Sequence, residues 1–469
     1  MSTGGPQGVG PARNAARGVG PAREAAWRAL LRLRREHAHA DDSAASLPEL
    51  DGLGERDRAL ANELVAGTVR RRGSIDAVLG QFTKAPLKST QPAVLEALRL
   101  GAFQLLFLDR VPAYAVVDDS VTLAARASRG SRGFANAVLR KVATAGRDRL
   151  TALSEGDGNG AWACRYSAPR WIVALLRGEL GDAAAGALLE AAAQTPERCL
   201  RVNALKGDVE AARTALQAAG FETHGVPGLP AALLYDGPAL QRSGPFRQGL
   251  VTPQSRGSQV AGMVAAGGLR PGAAVLDLCA APGTKTAHLA ALAREARVTA
   301  VDVDEARLVA LRANLARLSV HATVVPADVT ALPASFDGAF DAVLLDAPCS
   351  GLGTMGPRPD LRWRRRAADV PRMAALQRRL IEAAGRCVAP GGRLTYSVCT
   401  LPRAETVDVV DVLVRAGGWE VDDLGATWPG AAHPAAGGYL LVLPPGGGSS
   451  GFFIARLRRV APEPGRTLE

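Results

Sequence analysis

Two thiols and a series of carboxylates stand in this sequence where apolar, strand-like runs give way to loops. Cys349 lies in Asp346-Ala-Pro-Cys-Ser-Gly351 and Cys399 in Tyr396-Ser-Val-Cys-Thr400. A free thiol is a candidate nucleophile once it loses its proton. A lone Cys is more often a small buried hydrophobe. Two that converge on one edge of a sheet weaken that reading without removing it. The carboxylates are Asp277, Asp302, Asp328 and Asp346, ending or closely following the runs from Val275, Val298, Thr323 and Ala342. Acids at the ends of successive parallel strands gather on one edge of a sheet, where ribose hydroxyls and an adenine amino group find acceptors.

The elements that must position these groups form an open α/β sheet. Val275 to Thr286 reads V-L-D-L-C-A-A-P-G-T-K-T: an apolar strand, a tight loop of small residues, and a helix beginning near Lys285. Two nucleotide loops are excluded. A phosphate-binding Walker loop needs Gly directly before its Lys, and Thr284 stands there. A dinucleotide fingerprint needs three glycines, and Gly283 is the one present in this loop. An adenosyl cofactor without a pyrophosphate, S-adenosylmethionine, survives, and the loop by itself leaves other α/β ligands open. The fourth strand (Ala342–Asp346) and the fifth (Gly391–Val398) are expected to be neighbours, which sets the Cys349 and Cys399 loops side by side. Runs at Tyr439–Leu443 and Phe452–Leu457 suggest a closing antiparallel hairpin whose last strand enters the sheet against the others. Asp304 is a plausible N-cap for a helix over Glu305–Leu318.

The chain has 469 residues, with 56 basic and 45 acidic side chains and a net charge of +11. That length implies two to four domains. The basic balance suits an anionic partner, and nearly all of the basic residues are Arg. The six Cys are scattered, without zinc spacing or a disulfide framework, so no metal is expected. No secretory leader or membrane-spanning run is evident, and a reducing cytoplasmic setting is expected.

Taken in order, residues 1–21 read as a disordered basic tail in which G-V-G-P-A-R occurs twice, at 8–13 and 18–23. Residues 22–150 carry helical periodicity throughout and no strand-like alternation, which predicts an all-α bundle. Its clusters Arg70-Arg71-Arg72 and Arg126 to Arg132 are candidates for following a phosphate backbone, and equally for a solvated face. Residues 151–248 read as linker helices and a small α+β module, with a strand over Arg198–Leu205, a helix over Val209–Ala218 and a strand over Phe221–Val226. Residues 249–460 hold the sheet domain, and 461–469 a tail. The Arg-rich segment Arg358-Pro-Asp-Leu-Arg-Trp363, with Arg364, Arg365 and Arg366, reads as a loop facing nucleic acid, since basic residues bracket one aromatic.

The motifs at 277–286, 346–351 and 396–400 resemble those of the RNA cytosine-5 methyltransferases. Val111-Pro-Ala-Tyr-Ala-Val-Val-Asp118 and Gly133-Phe-Ala-Asn-Ala-Val-Leu-Arg140 resemble the NusB-like RNA-binding domain. From about residue 22 to 459 the chain is similar to the bacterial 16S ribosomal RNA methyltransferase B family (RsmB, also Sun or Fmu). The resemblance implies a NusB-like bundle, a small α+β linker module and a Rossmann-like class I S-adenosylmethionine-dependent methyltransferase domain. It implies Cys399 as nucleophile toward carbon 6 of cytosine, Cys349 as the group assisting release, and Asp346 as a hydrogen-bond partner of the base that also lies by the methionine end of the cofactor. Cys279, Ala280, Ala281, Pro282, Gly283, Thr284 and Lys285 would wrap the methionine part, Asp302 the ribose and Asp328 the adenine edge. The implied partner is 16S ribosomal RNA, with no DNA and no membrane, acted on by a monomer. The target base must be unpaired or flipped out for a thiolate to reach it.

Two positions and one short run depart from the family pattern. Thr284 stands where a second Gly is usual, Ser255 follows Val251-Thr-Pro-Gln254 where Asp is usual, and Arg403-Ala-Glu-Thr406 replaces a run of acids and Asn. Two other readings remain at this stage: the same chemistry on transfer RNA, and a non-catalytic RNA-binding or antitermination-type protein. Methylation of an exocyclic amino group would want an Asn/Asp-Pro-Pro-aromatic loop after the fourth strand, which Asp346-Ala-Pro-Cys349 is not.

Overall fold

The computed structural model describes residues 18–35, 47–293, 295–444, 448 and 450–460. The tails expected over 1–21 (apart from its last four residues) and 461–469 lie outside the described residues, as does most of the Gly/Ser-rich turn before Phe452. The chain forms two compact units that divide after Ser167.

The first unit is helical: α1 (Pro21–Arg35), α2 (Glu55–Arg70), α3 (Arg72–Phe82), α4 (Pro92–Phe107), α5 (Ala113–Ala127), α6 (Ser131–Ser154) and α7 (Asn159–Arg165). The α4 helix is buried without a break from Val94 to Gln104. A helix buried on every side is the centre of its bundle. Charge inside that stretch is neutralised locally. Arg99 donates to Glu96 at 2.6 Å and, through two nitrogens, to both Asp76 oxygens at 2.7 Å. The α6 helix runs past residue 150 because Leu150 and Leu153 pack on the bundle core.

In the second unit α8 (Arg170–Ala193) is kinked at Gly181 and leads into β1 (Cys199–Val202), α9 (Val209–Ala218), β2 (Glu222–Val226) and β3 (Leu229–Asp236). After α10 (Gly244–Arg247), β4 (Val251–Pro253) completes an antiparallel sheet of order β2-β3-β1-β4. The β3 and β4 strands add to the expected module. Leu200, Val202, Leu233 and Val251 on this sheet share one core with Ala212 and Leu216 of α9.

The remaining elements build the large sheet. They are α11 (Arg256–Ala266), β5 (Ala274–Leu278), α12 (Thr284–Leu292), β6 (Arg297–Asp302), α13 (Glu305–Leu318), β7 (Thr323–Pro326) and β8 (Phe340–Asp346). Next come α14 (Leu361–Arg364), α15 (Asp369–Cys387), β9 (Val388–Val398), α16 (Val407–Ala416), β10 (Trp419–Val421), α17 (Leu424–Thr427), β11 (Leu440–Val442) and β12 (Phe452–Arg459). The order is β10-β12-β9-β8-β5-β6-β7, with β11 paired to β12. The five strands from β9 to β7 are parallel, and β12 lies antiparallel beside β9. The expected final strand therefore does enter against the others. The β7 strand ends at Pro326, short of Asp328, with the Ala327 N–H donating a last bond to the Asp302 carbonyl at 3.1 Å. From β5 the chain goes to β6 on one side and later to β8 on the other. The carboxyl ends of β5 and β8 thus flank a topological switch point, where open α/β sheets bind ligands. Among the described residues, no helix is long and apolar enough to cross a membrane.

Candidate active site

The thiol pair follows from strand register. Parallel pairing sets Asp346 of β8 opposite Ser397 of β9, and the Ala347 N–H extends the ladder to the Ser397 carbonyl at 3.0 Å. Three residues beyond Asp346 comes Cys349, and two beyond Ser397 comes Cys399. Their sulfurs are 3.3 Å apart. The adjoining hydroxyls, Ser350 Oγ and Thr400 Oγ1, are 2.7 Å apart.

Behind the pair lies Glu405, fully buried in the turn after Cys399. Its Oε2 accepts the Ser350 N–H at 2.8 Å and Gln377 Nε2 at 3.1 Å, and its Oε1 accepts Thr400 Oγ1 at 3.4 Å. One carboxylate thus ties the loop of each cysteine to α15. The sequence reading missed this residue, treating 403–406 as a departure; its signal was a single acid six residues past Cys399.

In front of the pair, Asp346 receives Lys285 Nζ on Oδ2 and Ser397 Oγ on Oδ1, both at 2.7 Å. Lys285 also lies 5.5 Å from the Phe452 ring centroid, a cation–π contact from β12 that the sequence did not reveal.

A cleft of about 330 Å³ opens at this edge. Six of the seven residues from Cys279 to Lys285 border it, with Asp277, Asp346, Arg358, Cys399 and Phe452. Gly283 is the exception: it sits behind, at φ 88°, and a Cβ there would come within 3.1 Å of Leu311. The positive φ is thus spent at Gly283. Thr284 begins the helix with ordinary backbone, so its Cβ is accommodated. Ser255 Oγ caps α11 by accepting the Ser258 N–H, an N-cap role that Asp fills as well.

The loop is held from behind. The Ala280 N–H donates to the Val301 carbonyl at 3.0 Å, and Arg307 Nη2 donates to the Ala281 carbonyl at 2.7 Å. Asp302 takes part: its Oδ2 accepts the Ala281 N–H at 3.0 Å and its Oδ1 the Asp304 N–H at 3.2 Å. Asp302 and Asp328 do not border the cleft. Asp302 is buried under the loop, and Asp328 is exposed beyond β7, accepting the Thr330 N–H and hydroxyl. Those two bonds hold the Asp328 carboxyl below the usual range.

Electrostatics separates the groups. Burial pushes the Asp277 carboxyl up to about 7. Its Oδ2 accepts Thr286 Oγ1 at 2.6 Å, while Oδ1, buried at the cleft, has no protein partner. A buried acceptor left unpaired is costly unless a ligand donor satisfies it. Burial, and then Asp302, Asp346 and Asp277, raise the Cys279 thiol, which keeps its proton. The Cys349 S–H lowers Cys399, helped by Arg358 and Lys285 against burial and Asp346. Cys349 is raised well above an ordinary thiol by the same contact, by burial and by Glu405.

The Arg-rich segment divides. Arg362 does not face solvent: it is fully buried, and its Nη2 donates to the Ala192 and Met355 carbonyls at 2.7 Å. The reading of that residue as part of an RNA-facing loop is corrected. Ala192 lies in the last turn of α8, whose carbonyls lack helical partners, and the guanidinium satisfies one of them. Arg365 also turns inward, to the Ser350 carbonyl at 2.7 Å. Arg364 and Arg366 are exposed. Among the described residues no cluster of His, Cys, Asp or Glu is arranged to hold a metal ion.

A parallel sheet of this order, with a cleft at its switch point and an unpaired acid beside a small-residue loop, defines a Rossmann-like methyltransferase domain. That donor set fits S-adenosylmethionine, whose ammonium suits the orphaned Asp277 oxygen. Sequence profiles agree in three places: the 16S rRNA methyltransferase RsmB/F family over residues 267–458, the NusB family over 20–144, and the RsmF/B ferredoxin-like domain over 168–240. The chain belongs to the ribosomal RNA small subunit methyltransferase B family. It is 34% identical to that protein from Erwinia tasmaniensis over 77% of this chain and 83% of the relative. It is 37% identical to the one from Xylella fastidiosa strain 9a5c over 88% and 94%. The crystal structure of a methyltransferase homolog protein from Pyrococcus horikoshii is similar at a TM-score of 0.56 and 28% identity, covering 65% of this chain and all of that one.

Proposed function

We propose that this protein methylates carbon 5 of a cytosine in small-subunit ribosomal RNA, with Cys399 as the attacking thiol. The observation that carries the reading is the sulfur pair, 3.3 Å apart, with Cys399 at the rim of a cleft that Asp346 and Lys285 also border. S-adenosylmethionine, when bound, supplies an electrophilic methyl group. Residues 279–285 and Asp277 are assigned to its methionine part, Asp302 to its ribose and Asp328 to its adenine edge, with Asp302 also bracing the Ala281 amide.

Carbon 5 of cytosine is a poor nucleophile. Addition of the Cys399 thiolate to carbon 6 moves the electron pair of the ring double bond to carbon 5, which can then take the methyl group. Loss of the carbon 5 proton restores the double bond and expels Cys399 as a thiolate. Cys349 is assigned to that release. Asp346 is assigned to a hydrogen bond with the base near nitrogen 3, where it stabilises the adduct. The exposed Arg364 and Arg366, with Arg358 at the cleft, are assigned to the RNA backbone.

The test pairs wild-type protein with Cys399→Ala on small-subunit ribosomal RNA, reading 5-methylcytosine by bisulfite sequencing. The variant should lose at least about a thousandfold in methyl transfer while binding the cofactor nearly as well. Substantial turnover by the variant would move the nucleophile elsewhere. An active wild type that modifies transfer RNA and not ribosomal RNA would reassign the substrate.

A further inference from the structure

Two chemically identical thiols 3.3 Å apart cannot take different roles unless their surroundings differ. The charged and titratable groups around Cys399 are Asp346 at the end of β8, Lys285 in the first turn of α12, Arg358 from the loop before α14, and Cys349 itself. Around Cys349 they are Cys399, Glu405 from the turn before α16, the buried Tyr396 near the end of β9, and Arg365, whose guanidinium lies 3.5 Å from the Cys349 carbonyl. Two cations and the Asp346 carboxylate thus face Cys399, whereas the fully buried Glu405 carboxylate faces Cys349, where the Arg365 guanidinium is turned to the Ser350 and Cys349 carbonyls. Burial raises the Glu405 carboxyl above its ordinary range; the two N–H groups and one hydroxyl that its oxygens accept oppose that rise and suit the ionised carboxylate. The same residue fixes the geometry. It grips the Ser350 N–H next to Cys349 and the Thr400 hydroxyl next to Cys399, and its own carbonyl accepts Tyr396 OH at 2.8 Å from the end of β9.

Resting on the cytosine-5 reading above, we infer that Glu405 is a positioning residue of the reaction. It braces both thiol loops and faces Cys349 with a negative charge, so that Cys349 keeps the proton and Cys399 gives its proton up. The directions of the two thiol shifts agree with this division. One proton is then held between the sulfurs, on Cys349, and donated toward the Cys399 thiolate. When Cys399 bonds to carbon 6 it becomes a thioether and ceases to be an anionic acceptor. The Cys349 proton then leaves to solvent, and the Cys349 thiolate takes the carbon 5 proton as Cys399 departs. Each turnover returns the pair to its starting protonation and releases one proton.

The experiment alkylates the full-length protein with iodoacetamide between pH 6 and 9, without RNA, and follows the two cysteine peptides separately by mass spectrometry. In wild type the pH midpoint for Cys399 labelling should fall about one unit or more below that of a free thiol, near 8.5, and below the midpoint for Cys349. In Glu405→Gln, which keeps the size and one acceptor but loses the charge, the two midpoints should approach each other by about one unit, a tenfold change in labelling ratio at fixed pH. Cofactor binding by the variant reports that it folds. Overturning results are a wild-type Cys399 midpoint at or above the free-thiol value, or a folded Glu405→Gln protein with both midpoints unmoved. The wild-type arm decides even if the variant does not fold. Methyl transfer to ribosomal RNA by wild type is read separately, so loss of the parent reading is distinguished from loss of this one.

Discussion

Replacing Cys349 by Ala removes the thiol 3.3 Å from the Cys399 sulfur, the hydrogen-bond donor to it in the protonation inferred above. A hydrogen bond to a charged acceptor contributes about 1.5–3 kcal/mol, which corresponds to a rise of about one to two units in the Cys399 thiol pKa. Near neutral pH the thiolate fraction, and with it the rate of addition to carbon 6, should fall about 10- to 100-fold. Elimination loses its proton acceptor, and general base catalysis contributes about 10²–10⁴-fold. Release is therefore slowed more than addition, and the protein–RNA adduct should accumulate. The assay mixes Cys349→Ala protein, ribosomal RNA and S-adenosylmethionine, and reads a shifted band on a denaturing gel against time. The band should be absent in a Cys349→Ala, Cys399→Ala double variant. Raising the pH from 7 to 9 should recover much of the addition rate and little of the release. Full turnover by Cys349→Ala without any adduct, beside an active wild type, would refute both the role and the estimate.

Four further outcomes are expected. Asp277 is raised by burial to about 7 in the folded chain, so below that pH it is protonated and cannot pair with a cationic cofactor group. Binding of S-adenosylmethionine should therefore weaken about tenfold for each pH unit below 7 and release a proton, as measured by titration calorimetry in two buffers; Asp277→Asn should flatten the profile. Arg362→Leu leaves two carbonyls without their buried donor and should cost about 3 kcal/mol in urea unfolding, with the salt dependence of RNA binding unchanged. By contrast, Arg364→Ala and Arg366→Ala should each lower that salt slope by about one, with stability unaffected. Thr284→Gly should change cofactor affinity little and cost up to about 1 kcal/mol of stability, because the backbone at 284 is already helical.

The parts of the site that were legible in the sequence are those set by strand ends. Apolar runs ending in Asp277, Asp302 and Asp346 became β5, β6 and β8, since a buried parallel strand is apolar along its length. Pairing β8 with β9 then set the two thiol loops side by side. What escaped depends on partners distant in the chain. Arg362 sits among exposed arginines, and its burial is decided by a carbonyl 170 residues earlier. That Asp302 also braces the cofactor loop was not legible, because its oxygens accept the backbone amides of Ala281, 21 residues earlier, and Asp304. Glu405 gave no periodic signal, because its importance lies in what it joins. Of the three-residue strands, β4 and β10 are too short to show alternation, whereas β11 lies inside the expected run at Tyr439–Leu443.

The β12 strand has a consequence for the order of assembly during synthesis. It is made after every other described strand, yet its place is in the interior, between β9 and β10, and Phe452 at its start completes the cleft beside Lys285. Its approach is guarded by a tight backbone crossing: the Gly451 N–H donates to the Gly353 carbonyl at 2.7 Å, and a Cβ on Gly353 would strike the Gly451 oxygen at 2.1 Å. A nascent chain can close its helical N-terminal unit as it emerges, since those contacts are drawn from the first 167 residues. The cleft must wait until β12 has been translated and seated. Growing chains that have not yet released this strand therefore lack the Phe452 wall of the cleft.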